Sequence, residues 1–156
     1  MRSMYINQNI QLVFYGFITF LLLACSGSKT IQKSPSFPDD LRISIYQGGG
    51  VAGIWRGYTI EANGSVMRWQ GRLPETNPEV SGQLSPSELH TLWQAIQAAD
   101  FFNVRLTNTG NLTTFIKIQA SGRQNIVSWP SAESQAHQKL YRLYLLIKQA
   151  AEKDSQ

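Results

Sequence analysis

Short segments in which apolar and polar residues alternate predict a set of strands, each with one buried face. The first is 43–47, where Ile43 and Ile45 are separated by polar neighbours. Further segments rich in β-branched and aromatic residues predict strands over 56–62, 65–70, 114–120 and 123–129. Asn63-Gly64 predicts a type I′ hairpin, because both residues tolerate a positive φ. Ser121-Gly122 predicts a second hairpin.

Apolar residues at helical spacing predict two amphipathic helices. The first begins after Ser85, because Ser85 and Glu88 have the spacing of a capping box and Pro86 suits the first helical position. Its apolar face consists of Leu89, Leu92, Trp93, Ile96 and Ala99. The second helix is predicted from Ser131 to about Lys153. Its apolar stripe consists of Ala136, Leu140, Leu143, Ile147 and Ala150.

The resulting element order, β-β-β-α-β-β-α, predicts an α+β fold. Strands joined by tight hairpins are antiparallel, and amphipathic helices need an apolar sheet face to cover. We therefore expect an antiparallel sheet of four to five strands with both helices packed on one face. The fold is expected to form a single domain over residues 42–152, followed by a frayed tail at 153–156.

The N-terminal segment has a different pattern, since no charged residue lies between Arg2 and Lys29. Residues 10–24 form an apolar run that is shorter than the roughly 20 residues of a transmembrane helix. Its length matches the apolar core of a secretory signal. We therefore predict a signal peptide over residues 1–24. An uncleaved signal anchor is the alternative.

The apolar run ends in Leu22-Leu23-Ala24-Cys25, which resembles the lipobox of bacterial lipoproteins. This resemblance implies that Cys25 is lipidated and becomes the new N-terminus. Ser26 stands where an inner-membrane retention signal would have Asp, so the resemblance favours the outer membrane over the inner membrane. The Ser-, Pro- and Lys-rich residues 25–41 predict a flexible tether between the membrane and the domain.

Composition narrows the classes of function. The 156-residue chain has 14 basic and 10 acidic residues, and this net charge of +4 is too small and too scattered to indicate nucleic-acid binding. Its one cysteine excludes an intrachain disulfide and any metal site built from several cysteines. These numbers indicate a small soluble domain with little obvious chemistry, and we expect it to be a monomer.

No pattern of residues indicates catalysis. The sequence has no G-x-S-x-G motif. Glu133 and His137 are spaced i, i+4 on a predicted helix, but they give two metal ligands where zinc needs at least three. His90 and Glu88 are two residues apart and do not share a helix face. We therefore expect no metal, no cofactor and no enzymatic activity.

The glycine-rich segment 48–53 leads into a strand, whereas a phosphate-binding loop would open a helix. It is either a wide turn that needs positive φ angles or a protruding loop that contacts a partner, and both interpretations stay open. Trp69 and Arg72 leave a similar choice. They belong either to the core and its edge or to an interface, where aromatic residues and arginine are enriched.

The stretch Gly49-Gly50-Val51-Ala52-Gly53-Ile54 resembles the opening of the emfourin family of small bacterial inhibitors of thermolysin-like metallopeptidases. A looser likeness extends over residues 42–150 and includes Ala99-Asp100-Phe101-Phe102. The resemblance implies a peptidase partner and inhibition by a loop that occupies the cleft, with Val51 and Ile54 as apolar contacts. The alternative is a structural or accessory lipoprotein module that binds another envelope component.

Overall fold

The structure, a computed structural model, describes residues 37–153. These residues form a six-stranded antiparallel sheet with the spatial order β4-β3-β2-β1-β5-β6. In chain order the strands are β1 (Arg42–Gly49), β2 (Ile54–Glu61), β3 (Ser65–Gly71), β4 (Glu79–Gln83), β5 (Leu112–Ala120) and β6 (Arg123–Pro130). Helix α1 (Pro86–Ala98) follows β4, and helix α2 (Gln138–Glu152) follows β6. Short 3₁₀ helices occupy Phe101–Asn103 and Ser131–His137.

Both helices cover the same face of the sheet, which we call the helix face. Alternate residues of the strands, such as Ile43, Ile116 and Val127, are fully buried there. The buried residues of α1 and α2 join them in one apolar cluster. The contacts of this cluster that the structure describes join residues within 37–153, so a chain that begins at Ser26 contains both partners of each of them. The predicted α+β class is confirmed.

The sheet has one strand more than the four to five predicted. The additional strand, β4, lies at the sheet edge and pairs with β3 across a bulge at Val66 and Met67. Its sequence, Glu79–Gln83, contains one β-branched residue and one glycine, and each of its five residues is exposed or half-buried. An edge strand needs no apolar face. Alternation therefore gives no signal for it, and none of the predicted strands includes it.

The second helix begins seven residues later than predicted. Residues Ser131–His137 form a 3₁₀ helix instead of the first two α-helical turns. Ser134 stabilises this conformation, because its hydroxyl accepts from the Trp129 indole N–H at 3.1 Å and donates to the Ser131 carbonyl at 2.8 Å. The stripe is also shifted: Tyr144 and Ala151 are buried with Leu140, Leu143 and Ile147, whereas Ala136 is exposed and Ala150 half-buried.

The start of α1 is confirmed in detail. The Ser85 hydroxyl accepts from the Glu88 backbone N–H at 3.3 Å, and the Glu88 carboxylate accepts from the Ser85 backbone N–H at 2.9 Å. Pro86 occupies the first helical position. These reciprocal bonds satisfy backbone donors that have no partner inside the helix.

The two predicted hairpins form with different turns. At Asn63-Gly64 only Gly64 has a positive φ, of 87°, and its N–H donates to the Glu61 carbonyl at 2.9 Å, so the connection is not the predicted type I′ turn.

At Ser121-Gly122 both residues have positive φ, as a type I′ turn requires. The Asp40 carboxylate accepts from the N–H groups of Ser121 and Gly122 at 2.6 and 2.7 Å. These two bonds lower the pKa of Asp40.

The packed region begins earlier than residue 42. Phe37 and Leu41, which fall in the predicted tether 25–41, are buried in the core. The predicted signal peptide 1–24, Cys25 and most of the tether lie outside the described residues, as does most of the tail. Among the described residues, no helix has the length and apolar character needed to cross a membrane.

Candidate functional site

The segment singled out by the sequence forms the turn between β1 and β2. Gly49, Gly50 and Gly53 have φ angles of 113°, 69° and 58°, which L side chains rarely adopt. The Gly53 N–H donates to the Gly50 carbonyl at 3.1 Å and closes the turn. The Gly50 N–H donates to the Asn111 carbonyl at 2.5 Å, which ties the turn to the segment before β5. The glycines thus have the structural role that one of the two interpretations assigned to them.

The same turn presents an apolar side chain to solvent. Val51 is fully exposed and Ala52 is exposed, whereas Ile54 is half-buried at the start of β2. A fully exposed valine contributes nothing to the core, so packing does not explain it. The predicted partner-binding residues Gly49, Gly50, Val51, Ala52, Gly53 and Ile54 therefore form one protruding turn, which we call the β1–β2 tip.

Aromatic packing supports the base of the tip. On the sheet face opposite the helices, the Trp55 ring contacts Tyr46 and Phe115 at centroid distances of 6.0 and 5.5 Å. Tyr46 and Phe115 stack on each other at 4.7 Å. A side chain at Gly48 would collide with the Trp55 ring. The strands that carry the tip are therefore held firmly, and the turn projects from a preorganised base.

Two further exposed apolar residues lie at the end of the sheet that carries the tip. Leu112 begins β5 and pairs with Gly49. Leu73 lies two residues after Gly71, the last residue of β3, and Gly71 pairs with Trp55. The sequence analysis missed both leucines, because neither belongs to a motif. Only the strand register brings them to the same end of the sheet as Val51.

Burial resolves the choice left open for Trp69. Trp69 is 2% exposed, its indole N–H donates to Thr59 Oγ1 at 3.1 Å, and its ring lies 5.5 Å from that of Tyr46. It is a core residue of the face opposite the helices. Arg72 is exposed in the loop after β3. The two residues do not form the shared interface that one interpretation assigned to them.

The histidines are not brought together with other metal ligands. His90 lies in α1, and Glu133 and His137 belong to the 3₁₀ helix, where the i, i+4 spacing no longer places two residues on one face. Within residues 37–153, no group of three or more potential ligands could hold a metal ion. Cys25, the predicted lipidation site, is outside this range.

In comparisons with known proteins, no protein-family model matches the chain, and no curated protein matches it either. The likeness of residues 49–54 to the emfourin family stays a hypothesis, which the tip geometry makes testable residue by residue.

Proposed function

We propose that this protein is a non-catalytic binding protein of the bacterial cell envelope that inhibits a thermolysin-like metallopeptidase through the β1–β2 tip. The observation that carries the proposal is the full exposure of Val51 on a turn whose backbone is fixed by its own hydrogen bonds and by Asn111. An apolar side chain held in this way is suited to an apolar pocket of a partner.

The proposed mechanism is occlusion of the cleft. Tight binding normally costs conformational entropy when a flexible loop becomes ordered at an interface. Here the bonds from Gly53 to Gly50 and from Gly50 to Asn111 have already restricted the turn. Val51 enters an apolar subsite, and the half-buried Ile54 supports the turn from below. Leu73 and Leu112 extend the apolar surface on either side of the tip.

The same proposal includes attachment to the membrane through a lipid on Cys25, with the outer membrane favoured. Its support is the lipobox-like sequence at residues 22–25. Residues 26–36 separate Cys25 from the described domain, and an extended chain of this length spans at most about 40 Å. Mass spectrometry of the mature protein tests this step, and an unmodified Cys25 would contradict it.

The inhibitory role is tested with the chain from Ser26 onward. We expect saturable inhibition of at least one thermolysin-like peptidase in a peptide-cleavage assay. Val51→Asp should weaken that inhibition by about a hundredfold or more, because a charge enters an apolar pocket. Val80→Asp is the matched control, since Val80 is 77% exposed on β4, outside the β1–β2 tip, and its substitution should leave inhibition unchanged. Absence of inhibition of several such enzymes at micromolar concentrations of this chain would contradict the proposal.

A further inference from the structure

A second surface, distinct from the tip, has the features of a ligand site. A groove of about 460 Å³ lies on the helix face between strands β1–β3 and α2. Its volume is within the range of small-molecule sites, roughly 300–1,000 Å³. Arg56 and Arg68 line it from the sheet, and Lys148 lines it from α2. We call it the sheet–helix groove.

The residues that form the floor of this groove are polar at positions where the helix face would otherwise be apolar. Along β1 the helix face changes from Ile43 and Ile45 to Gln47. In β2 it changes from Ile60 to Arg56, which is directly opposite Gln47. Gln70 of β3 continues the same row, opposite Arg56. This part of the helix face is open as the groove. Packing of the core therefore does not explain why these three positions are polar.

The positive charges of the groove are only weakly compensated. Arg68 lies 3.8 Å from Glu79, and Lys148 lies 3.7 Å from Glu152, both longer than a charge-assisted hydrogen bond. The Arg56 side chain makes no hydrogen bond or ion pair with another described residue. Arg56 is opposite Gln70, and Arg68 is two residues before Gln70 on the same strand. The two arginines are therefore diagonal neighbours across the strand pair, and their Cα atoms are about 7–8 Å apart.

The groove therefore offers more hydrogen-bond donors than acceptors. Both arginines, Lys148 and the Gln70 amide can donate, and three cationic side chains of the groove face two carboxylates, those of Glu79 and Glu152. Glu152 also accepts from the Tyr58 hydroxyl, at 3.4 Å. We propose that the sheet–helix groove binds an anionic ligand through a carboxylate or phosphate group held between Arg56 and Arg68. This proposal does not depend on the peptidase function.

The test is a titration of the chain from Ser26 onward with two probes, inorganic phosphate and citrate, followed through the arginine Nε–Hε resonances in NMR spectra. Saturable shifts of Arg56 and Arg68 with at least one probe are expected, and the stronger probe distinguishes phosphate from carboxylate. Arg56→Gln should weaken binding about tenfold or more, since it removes a charged donor. Arg72→Gln is the matched control, because Arg72 is exposed and outside the groove.

A second variant tests the same idea in the opposite direction. The negative charge of Glu79, 3.8 Å from Arg68, repels an anion held there, and the Glu79 side chain is 77% exposed, so Glu79→Gln should tighten binding several-fold without affecting the fold. Lack of saturation with both probes would overturn the proposal. Equal losses in Arg56→Gln and Arg72→Gln would overturn it as well, because they would indicate unspecific attraction to a basic surface.

Discussion

At the scale of single residues, the turn glycines differ in what an added side chain would meet. A Cβ at Gly64 would collide with the Leu84 carbonyl, and φ there is 87°. At Gly122 φ is also positive, at 68°, but no atom lies within 4 Å of the added Cβ. Gly64→Ala should therefore lower the free energy of unfolding by about 2–4 kcal/mol, and Gly122→Ala by about 1–2 kcal/mol. Urea denaturation compares the two, and equal losses would contradict the role given to the Leu84 contact.

Residue patterns explain which site residues the sequence could reveal. The glycines of the β1–β2 tip form a contiguous run, so 49–54 was visible as a unit. Arg56, Arg68 and Gln70 are close only because β2 and β3 pair in one register. Without that register their spacing along the chain carries no information, and the sheet–helix groove was not predicted.

At the scale of elements, the loop between β3 and β4 is fixed to the sheet by one carboxylate. Glu75 accepts from Arg42 of β1 and Lys117 of β5, both at 3.1 Å. Burial acts to raise the pKa of Glu75, but the contact with Lys117 and the charge of Arg42 outweigh it and lower the pKa. The loop thus lies across the face opposite the helices, near the buried Tyr46.

Glu75→Gln should accordingly destabilise the domain. The substitution removes the carboxylate charge that Lys117 and Arg42 share. Arg42 keeps its 2.7 Å ion pair with Glu61, so we expect a loss of about 1 kcal/mol in the free energy of unfolding. Glu79→Gln is the control, because its 3.8 Å pair with Arg68 is exposed and should contribute close to nothing. Chemical denaturation at low and high salt measures both. A loss in Glu75→Gln that is no larger than in Glu79→Gln would rule out the anchoring role.

The strength of local signals decided which elements could be predicted. Helix α1 carries its own start signal in Ser85, Pro86 and Glu88, and its first turn is as expected. Strand β4 has no such signal. It is stabilised by pairing with β3 and by the bond from the Leu84 N–H to the Gly64 carbonyl, and these contacts join residues that are distant in the sequence. The 3₁₀ helix at Ser131–His137 depends on the contact between Trp129 and Ser134. Apolar spacing over two turns does not distinguish it from an α-helix.

At the scale of the whole molecule, one carboxylate joins the two helices. Glu88, in the first turn of α1, accepts from the Lys153 ammonium at 2.8 Å, just beyond the end of α2. It also accepts from the backbone N–H and the hydroxyl of Ser85. The Lys153 contact, followed by the Ser85 bonds, lowers the pKa of Glu88 from 4.5 to about 2.

This shift predicts how stability depends on pH. Because the pKa of Glu88 is lower in the folded state, its contribution is fully present above pH 4.5 and is lost as the pH falls towards 2. Glu88→Gln keeps a capping side chain but cannot titrate. The wild type should therefore be more stable than the variant by about 1 kcal/mol or less at pH 7, and equally stable near pH 2. Asp40 and Glu75 titrate in both proteins, so the difference isolates Glu88. If urea denaturation shows a difference that does not change with pH, the contact with Lys153 does not couple the two helices.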